Sequence, residues 1–200
     1  MNRTFKIIYC LGFTACFIAG LMVFRLGLWP AESTPSTPTI GGNFTLQSTA
    51  GPVALKDFKG RIVIIYFGYM SCPDVCPTAL ASMSAAIKQL NETAQAQIQP
   101  LFISVDPERD RLENLAVFSS YFYPTMLGLT GNITYLKQLT KQYGTFFQYT
   151  PLPDSKLGYT VDHTSRIFLI DTAGKLAQTV SHRATSAEIL TALQKLLSSS

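Results

Sequence analysis

Charge is scarce in this sequence and histidine scarcer. Asp, Glu, Lys and Arg make up 14% of the 200 residues, and there are two histidines, His163 and His182. What basic excess exists sits at one end. Of 16 Lys and Arg, Arg3, Lys6 and Arg25 precede residue 31, where no acidic residue occurs, so the rest of the chain sets 13 basic against 12 acidic side chains. The formal charge of +4 therefore marks no basic patch. A nucleic-acid partner, which needs such a patch to neutralise phosphates, is excluded. There is no internal repeat, and no low-complexity tract beyond a short stretch after residue 30. The length fits one domain large enough to bury a core, with an appendage.

The appendage is N-terminal. Ile7 to Phe24 is a run of 18 residues without a charge, long enough at ~1.5 Å per residue to cross the hydrocarbon of a bilayer as a helix. Arg25 can snorkel, and Leu26 to Trp29 carries the apolar run on to an interfacial Trp. Residues 1–30 are therefore expected to be a single transmembrane helix. Arg3 and Lys6 keep the short leading end in the cytoplasm and place the remainder outside it. A cleaved signal peptide has a shorter apolar core and an A-x-A-like site, which is missing here. A lipoprotein signal ending at Cys16, after Thr14-Ala15, is the rival reading, although Phe13 is unusual at its place and apolar sequence continues past the cysteine. In an uncleaved anchor Cys10 and Cys16 are small apolar residues in lipid. The six residues ahead of the run leave no room for an organelle transit peptide, which points to a bacterial inner membrane with the domain in the periplasm. Residues 31–40, rich in Pro, Ser and Thr, read as a spacer, leaving 41–200 as the folded domain.

Within that domain strands and helices alternate. Phe44-Thr45-Leu46-Gln47 and Val53-Ala54-Leu55 flank a Gly/Pro turn and predict a hairpin. Ile62 to Ile65 predicts a buried strand, Thr78 to Thr93 a helix, and Leu101 to Val105 a second buried strand. Asp110 with Glu113 has the spacing of a capping box for a helix reaching Tyr123 before Pro124. Met126 to Leu129 predicts a short strand, then Asn132 an N-cap, and Gly144 the stop of the helix between them. Phe146 to Tyr149 and Arg166 to Ile170 predict further strands, the latter turning back at Asp171-Thr172-Ala173-Gly174 through Leu176 to Val180. Thr185 with Glu188 opens a closing helix. This is an α/β layout of the thioredoxin-like kind.

The chemistry gathers at Tyr66 to Pro77, where a buried strand hands over to a helix and Cys72 and Cys76 follow four positions apart. Ligands collect outside the carboxyl ends of strands in such sheets. Helix N-terminal amides also lower a thiol's pKa there, and the thiolate is both nucleophile and metal ligand. The pair therefore serves either redox chemistry or a metal.

Four segments carry a resemblance: Tyr66 to Pro77 with Cys-Pro-Asp-Val-Cys-Pro inside it, Ile103 to Asp110, Gly128-Leu129-Thr130-Gly131, and Val161-Asp162-His163-Thr164 followed by Leu169-Ile170-Asp171. Together, over about residues 40 to 197, they resemble the Sco/SenC family, membrane-anchored thioredoxin-fold copper proteins that assist assembly of cytochrome c oxidase. The resemblance implies that Cys72, Cys76 and His163 are copper ligands. One departure is visible: the family often has a Thr-His pair before the first cysteine, where this chain has Met70-Ser71.

Residue chemistry agrees. Thiolates suit Cu(I), imidazole suits both Cu(I) and Cu(II), and a two-sulfur, one-nitrogen site leaves the ion exchangeable. Four-residue spacing puts both cysteines on one face of a helical turn. Pro77 is expected at the first helical position, with Cys72 to Cys76 as a turn before it. His163 is placed in a loop before an apolar strand, with Asp162 able to orient its ring or to cap the loop. His182 reads as solvated, Met70 as packing rather than as a thioether ligand, Asp74 as a partner of the turn's amides, and Asp106 to Asp110 as a helix cap. Phe118, Tyr121, Phe122 and Tyr123 read as core with one exposed edge.

Two functions follow. The first is a copper metallochaperone that passes its ion to the dinuclear copper site of oxidase subunit II and draws on an upstream copper donor or thiol reductant. It has no catalytic residue. The second is a thiol-disulfide oxidoreductase cycling Cys72 and Cys76 to keep partner cysteines reduced. Thioredoxin-type reductases separate their cysteines by two residues and need no distant His, whereas this chain has three between them and has one. A structural disulfide is disfavoured because so short a loop removes little chain entropy.

Overall fold

A computed structural model describes residues 40–199, together with Met22 and Arg25. The chain divides into two compact units, Met1–Pro38 and Thr39–Ser200. The expected anchor at 1–30, most of the 31–40 spacer, and Cys10 and Cys16 lie outside the described residues. Among the described residues no helix is long and apolar enough to cross a membrane.

The second unit is built around β3 (Ile62–Gly68), every residue of which is buried. A strand covered on both faces reads as an unbroken apolar run rather than an alternation, as Ile-Val-Ile-Ile-Tyr-Phe does. β3 pairs in parallel with β4 (Ile98–Ser104) and antiparallel with β8 (Arg166–Ile170). Outside these lie β5 (Leu127–Leu129), parallel to β4, and β9 (Leu176–Ser181), antiparallel to β8, giving the order β5-β4-β3-β8-β9. Two further pairs stand apart from this sheet: the hairpin β1 (Thr45–Ser48) with β2 (Gly51–Ala54), and β6 (Phe147–Pro151) with β7 (Tyr159–His163).

Successive β3 side chains point to opposite faces. On one face Phe67 meets Tyr143 and Phe168 edge-on, Tyr143 closing the helix Ile133–Gln142. On the other, Tyr66 stacks on Phe102, and Phe102 packs on Phe118 of the helix Leu112–Phe122. Each fully buried Ile, Leu or Phe of this core stabilises the fold by ~2 kcal/mol relative to exposure. In chain order the helices are α1 (Val75–Lys88), α2 (Glu92–Ala96), α3 (Leu112–Phe122), α4 (Ile133–Gln142) and α5 (Ser186–Ser198). α1 buries Cys76, Ala79, Leu80, Met83 and Ile87, the stripe its helical period predicts. α5 begins at the expected capping box: the Glu188 amide donates to Thr185 Oγ1 and the Thr185 amide to the Glu188 carboxylate.

Four expectations are corrected. α1 starts at Val75, two residues before Pro77. Proline is tolerated there because the first-turn amides have no intrahelical acceptor to lose. The predicted helix to Thr93 ends at Lys88, and Asn91 caps the separate α2 by accepting from the Ala94 amide. Asp110 caps no helix: the residue before α3 is Arg111, without a side-chain cap, and the Asp110 carboxylate is used elsewhere. His163 ends a strand, β7, rather than lying in a loop.

Candidate metal centre

The carboxyl end of β3, the first turn of α1 and the end of β7 meet at one point. Among the described residues, Cys72, Cys76 and His163 form a group able to hold a metal ion, their ligand atoms all lying within 4.8 Å of one another. Cys76 Sγ is 3.5 Å from His163 Nε2. The ring's other nitrogen lies 3.4 Å from Ser165 Oγ, which leaves Nε2 facing the thiols. Tyr66 and Tyr69 hold the imidazole between two edge-on rings.

The two thiols are free and differ in access. Cys76 is fully buried, whereas Cys72 is 7% exposed. Cys72 lines an open cleft of about 320 Å³ together with Tyr69, Asp74, Thr160, Asp162 and His163. Of the three, Cys72 and His163 line the cleft and Cys76 does not. Hydrogen bonding from Cys76 pulls the Cys72 thiol down to about 4 against the opposing effect of burial, with further help from His163 and from the amides of Cys76 and Asp74. The Cys76 amide donates to Cys72 Sγ at 3.4 Å, the contact expected at a helix N-terminus. Cys76 moves the other way, raised by its hydrogen bond to Cys72 and by burial. The two thiols are therefore driven in opposite directions, cleft-lining Cys72 toward the thiolate and buried Cys76 toward the neutral thiol.

Two residues that the sequence reading passed over shape this pocket. Gly68 ends β3 beneath the cysteines; a β-carbon there would stand 2.9 Å from Cys76 Sγ and 2.8 Å from the Phe102 ring. A glycine closing an apolar strand is a signal of close approach, and was available. Tyr66 is buried beside the thiols, with its hydroxyl lacking a hydrogen-bond partner. Burial and the nearby Cys76 push this phenol well above its ordinary value, so it stays neutral.

The remaining candidates fall as follows. Asp162 accepts from Thr150 Oγ1 across the β6-β7 hairpin and does not orient His163; Ser165 is the ring's partner. His182 is half-buried, its Nδ1 lying 2.9 Å from the Ser165 carbonyl, so it is tied to the segment after His163 rather than solvated. Met70 packs against the hydrophobic core. Asp74 makes no capping bond to the turn's amides and instead accepts from Thr78 Oγ1 at 3.4 Å. In the aromatic cluster Tyr123 is buried and Tyr121 is 85% exposed, the expected core with an open edge.

Comparison with known proteins extends the geometry. Protein sco1 of Schizosaccharomyces pombe is 36% identical over 164 residues, covering 80% of this chain and 62% of that protein. The mitochondrial SCO2 homolog of Bos taurus is 39% identical over 152 residues, covering 75% of this chain and 56% of that protein. The chain thus spans less than two thirds of the length of either. The crystal structure of Arabidopsis thaliana ScoI with copper bound superposes with a TM-score of 0.74 at 31% identity, covering 81% of this chain and all of that one. The mixed α/β architecture is therefore the thioredoxin-like fold of Sco proteins. With the SCO1/SenC family model matching residues 32–198, the chain belongs to the SCO1/SenC family.

Proposed function

We propose that this protein is a membrane-anchored copper metallochaperone that holds one copper ion on Cys72, Cys76 and His163 and delivers it to the dinuclear copper site of cytochrome c oxidase subunit II. The observation that carries this reading is the convergence of two sulfurs and one imidazole nitrogen within 4.8 Å, with Nε2 turned toward the thiols. Two soft sulfurs and a borderline nitrogen suit Cu(I), and the imidazole keeps Cu(II) accessible. The copper-bound Arabidopsis thaliana relative supports the choice of metal. Because Cys72 and His163 line the cleft while Cys76 lies beneath, an acceptor's ligands replace the outer two bonds first and the Cys76 bond last. Cytochrome c oxidase as the acceptor follows from the family resemblance. Residues 1–30 serve as the anchor and 31–40 as the spacer. The copper-binding domain, 41–200, then lies on the periplasmic side of a bacterial inner membrane.

One observation favours a second reading: Cys72 lines the cleft and is lowered while Cys76 lies buried behind it and is raised, the arrangement of an attacking and a resolving thiol. Cys72 would attack a partner disulfide to form a mixed disulfide, expelling one partner sulfur as thiolate. Cys76, giving up its proton, would then close the Cys72–Cys76 bond and release the second sulfur. Two electrons pass to the partner.

The two are separated by mixing the full chain in detergent with a soluble subunit II domain. Copper-loaded chain and reduced acceptor should yield the acceptor's dinuclear-copper absorption, with matching loss of copper from the donor. If copper stays on the donor, while the copper-free dithiol reduces an oxidised acceptor stoichiometrically, the oxidoreductase reading replaces the first.

A further inference from the structure

The three candidate ligands come from elements of unequal support. Cys72 and Cys76 follow the central strand of a five-stranded sheet, whereas His163 ends β7, half of an isolated two-stranded hairpin. Such a hairpin is marginal on its own, and within this one Phe147 and Val161 are its buried residues. Something must hold it in place over the cysteines.

The segment that follows β4 does so with two buried carboxylates. Asp110, 1% exposed, accepts from the Met70 amide at 2.9 Å, just ahead of Cys72, and from Ser104 Oγ at 2.6 Å. Ser104 Oγ in turn accepts from the Asp106 amide. Asp106, fully buried, accepts from Tyr159 Oη at 2.7 Å and from Arg109 Nε. Arg109 donates to the Tyr159 carbonyl at 2.9 Å and to that of Leu157, and its guanidinium lies 3.8 Å from the centre of the Tyr159 ring. One short loop thus grips the cysteine turn with one side chain and the first residue of β7 with two others.

Building on the metal-site reading above, we propose that Asp106, Arg109 and Asp110 are positioning residues that set His163 in register with Cys72 and Cys76, without touching the ion themselves. Asp110 fixes the thiol side through the Met70 amide. Asp106 and Arg109 fix the imidazole side through Tyr159, four residues before His163 on the same strand.

Tyr159→Phe tests this with least disturbance, because it removes one hydrogen bond and keeps the ring under Arg109; Asp106→Asn is the second variant. Two measurements on the full chain in detergent decide the matter. In the copper-free reduced protein, amide hydrogen exchange over 147–163 should quicken by roughly 5- to 10-fold, the factor one net hydrogen bond represents, with β3 unchanged. No change there overturns the clamp, whatever copper does. In Cu(I) competition titrations Tyr159→Phe should weaken binding by roughly 5- to 10-fold, the same factor, because the hydrogen bond that keeps the imidazole in register is lost. The same substitution in the His163→Ala background should cost less than about twofold, because the clamp acts through that ring. Equal losses in both backgrounds would mark general destabilisation and overturn the positioning role. A parent chain that binds no copper would refute the metal-site reading alone, leaving the exchange result to judge the clamp.

Discussion

The chemistry of the candidate site turns on two thiols in unlike surroundings, Cys72 lining the cleft and Cys76 buried. Cys72 is lowered chiefly by hydrogen bonding from Cys76, with His163 and the amides of Cys76 and Asp74 adding to it. Alkylation of Cys72 by iodoacetamide should therefore persist down to about pH 4, with Cys76 unreactive at neutral pH. In Cys76→Ala the reactivity midpoint should climb toward that of an ordinary thiol; an unmoved midpoint would show that helix amides and His163 suffice. The sign for folding follows. A thiol lowered in the folded state contributes stability that is complete above the unfolded-state value and fades as pH falls toward about 4. Gly68 makes a second prediction. Its replacement by Ala forces a β-carbon within 3 Å of Cys76 Sγ and the Phe102 ring, which should lower stability to denaturant by ~1–3 kcal/mol. Copper affinity should fall with it, since the displaced atom is a ligand. At this scale the structure brings together the three residues that the resemblance singled out, Cys72, Cys76 and His163, and spacing alone marked the two cysteines. Sequence reading did not find Asp106, Arg109 and Asp110 as a clamp, because local pattern shows a helix start and not the hairpin residue, 50 and 53 positions away, on which Arg109 and Asp106 act.

Among the elements, those with strong local signals were legible: β3 and β8 as apolar runs, α5 from its capping box, α4 from Asn132 to Gly144. The misjudged ones lack such a signal. β7, Tyr-Thr-Val-Asp-His, has one apolar β-branched residue, Val161, and is a strand because β6 pairs with it and Tyr159 is gripped from outside. α1 overran its expected start because Pro77 costs no hydrogen bond in a first turn. Gly144, at φ +65°, ends α4 in the left-handed region, where a β-carbon would make only ordinary contact with Ile40. Gly144→Ala should therefore cost ~1 kcal/mol through backbone conformation alone. Urea unfolding checks this: the midpoint should fall with the slope unchanged, and an unchanged midpoint would mean that α4 tolerates another ending.

For the whole molecule, the buried core cluster among the described residues runs from Phe44 to Leu193, and the unit from Thr39 onward should fold without the N-terminal segment. Deleting residues 1–30 should move the protein from a carbonate-resistant membrane fraction to the soluble fraction without changing its unfolding midpoint. A deletion variant that stays in the membrane would refute the anchor.

The central claim is one copper on three ligands, and anaerobic Cu(I) titration of the reduced full chain against a chelator of known affinity tests it most directly. The account predicts one tightly held copper, weakened by roughly a hundredfold or more in each of Cys72→Ala, Cys76→Ala and His163→Ala, since each removes one of three bonds to the ion. A His163→Ala variant that binds as tightly as the parent, or a parent that fails to compete with the chelator, would contradict it.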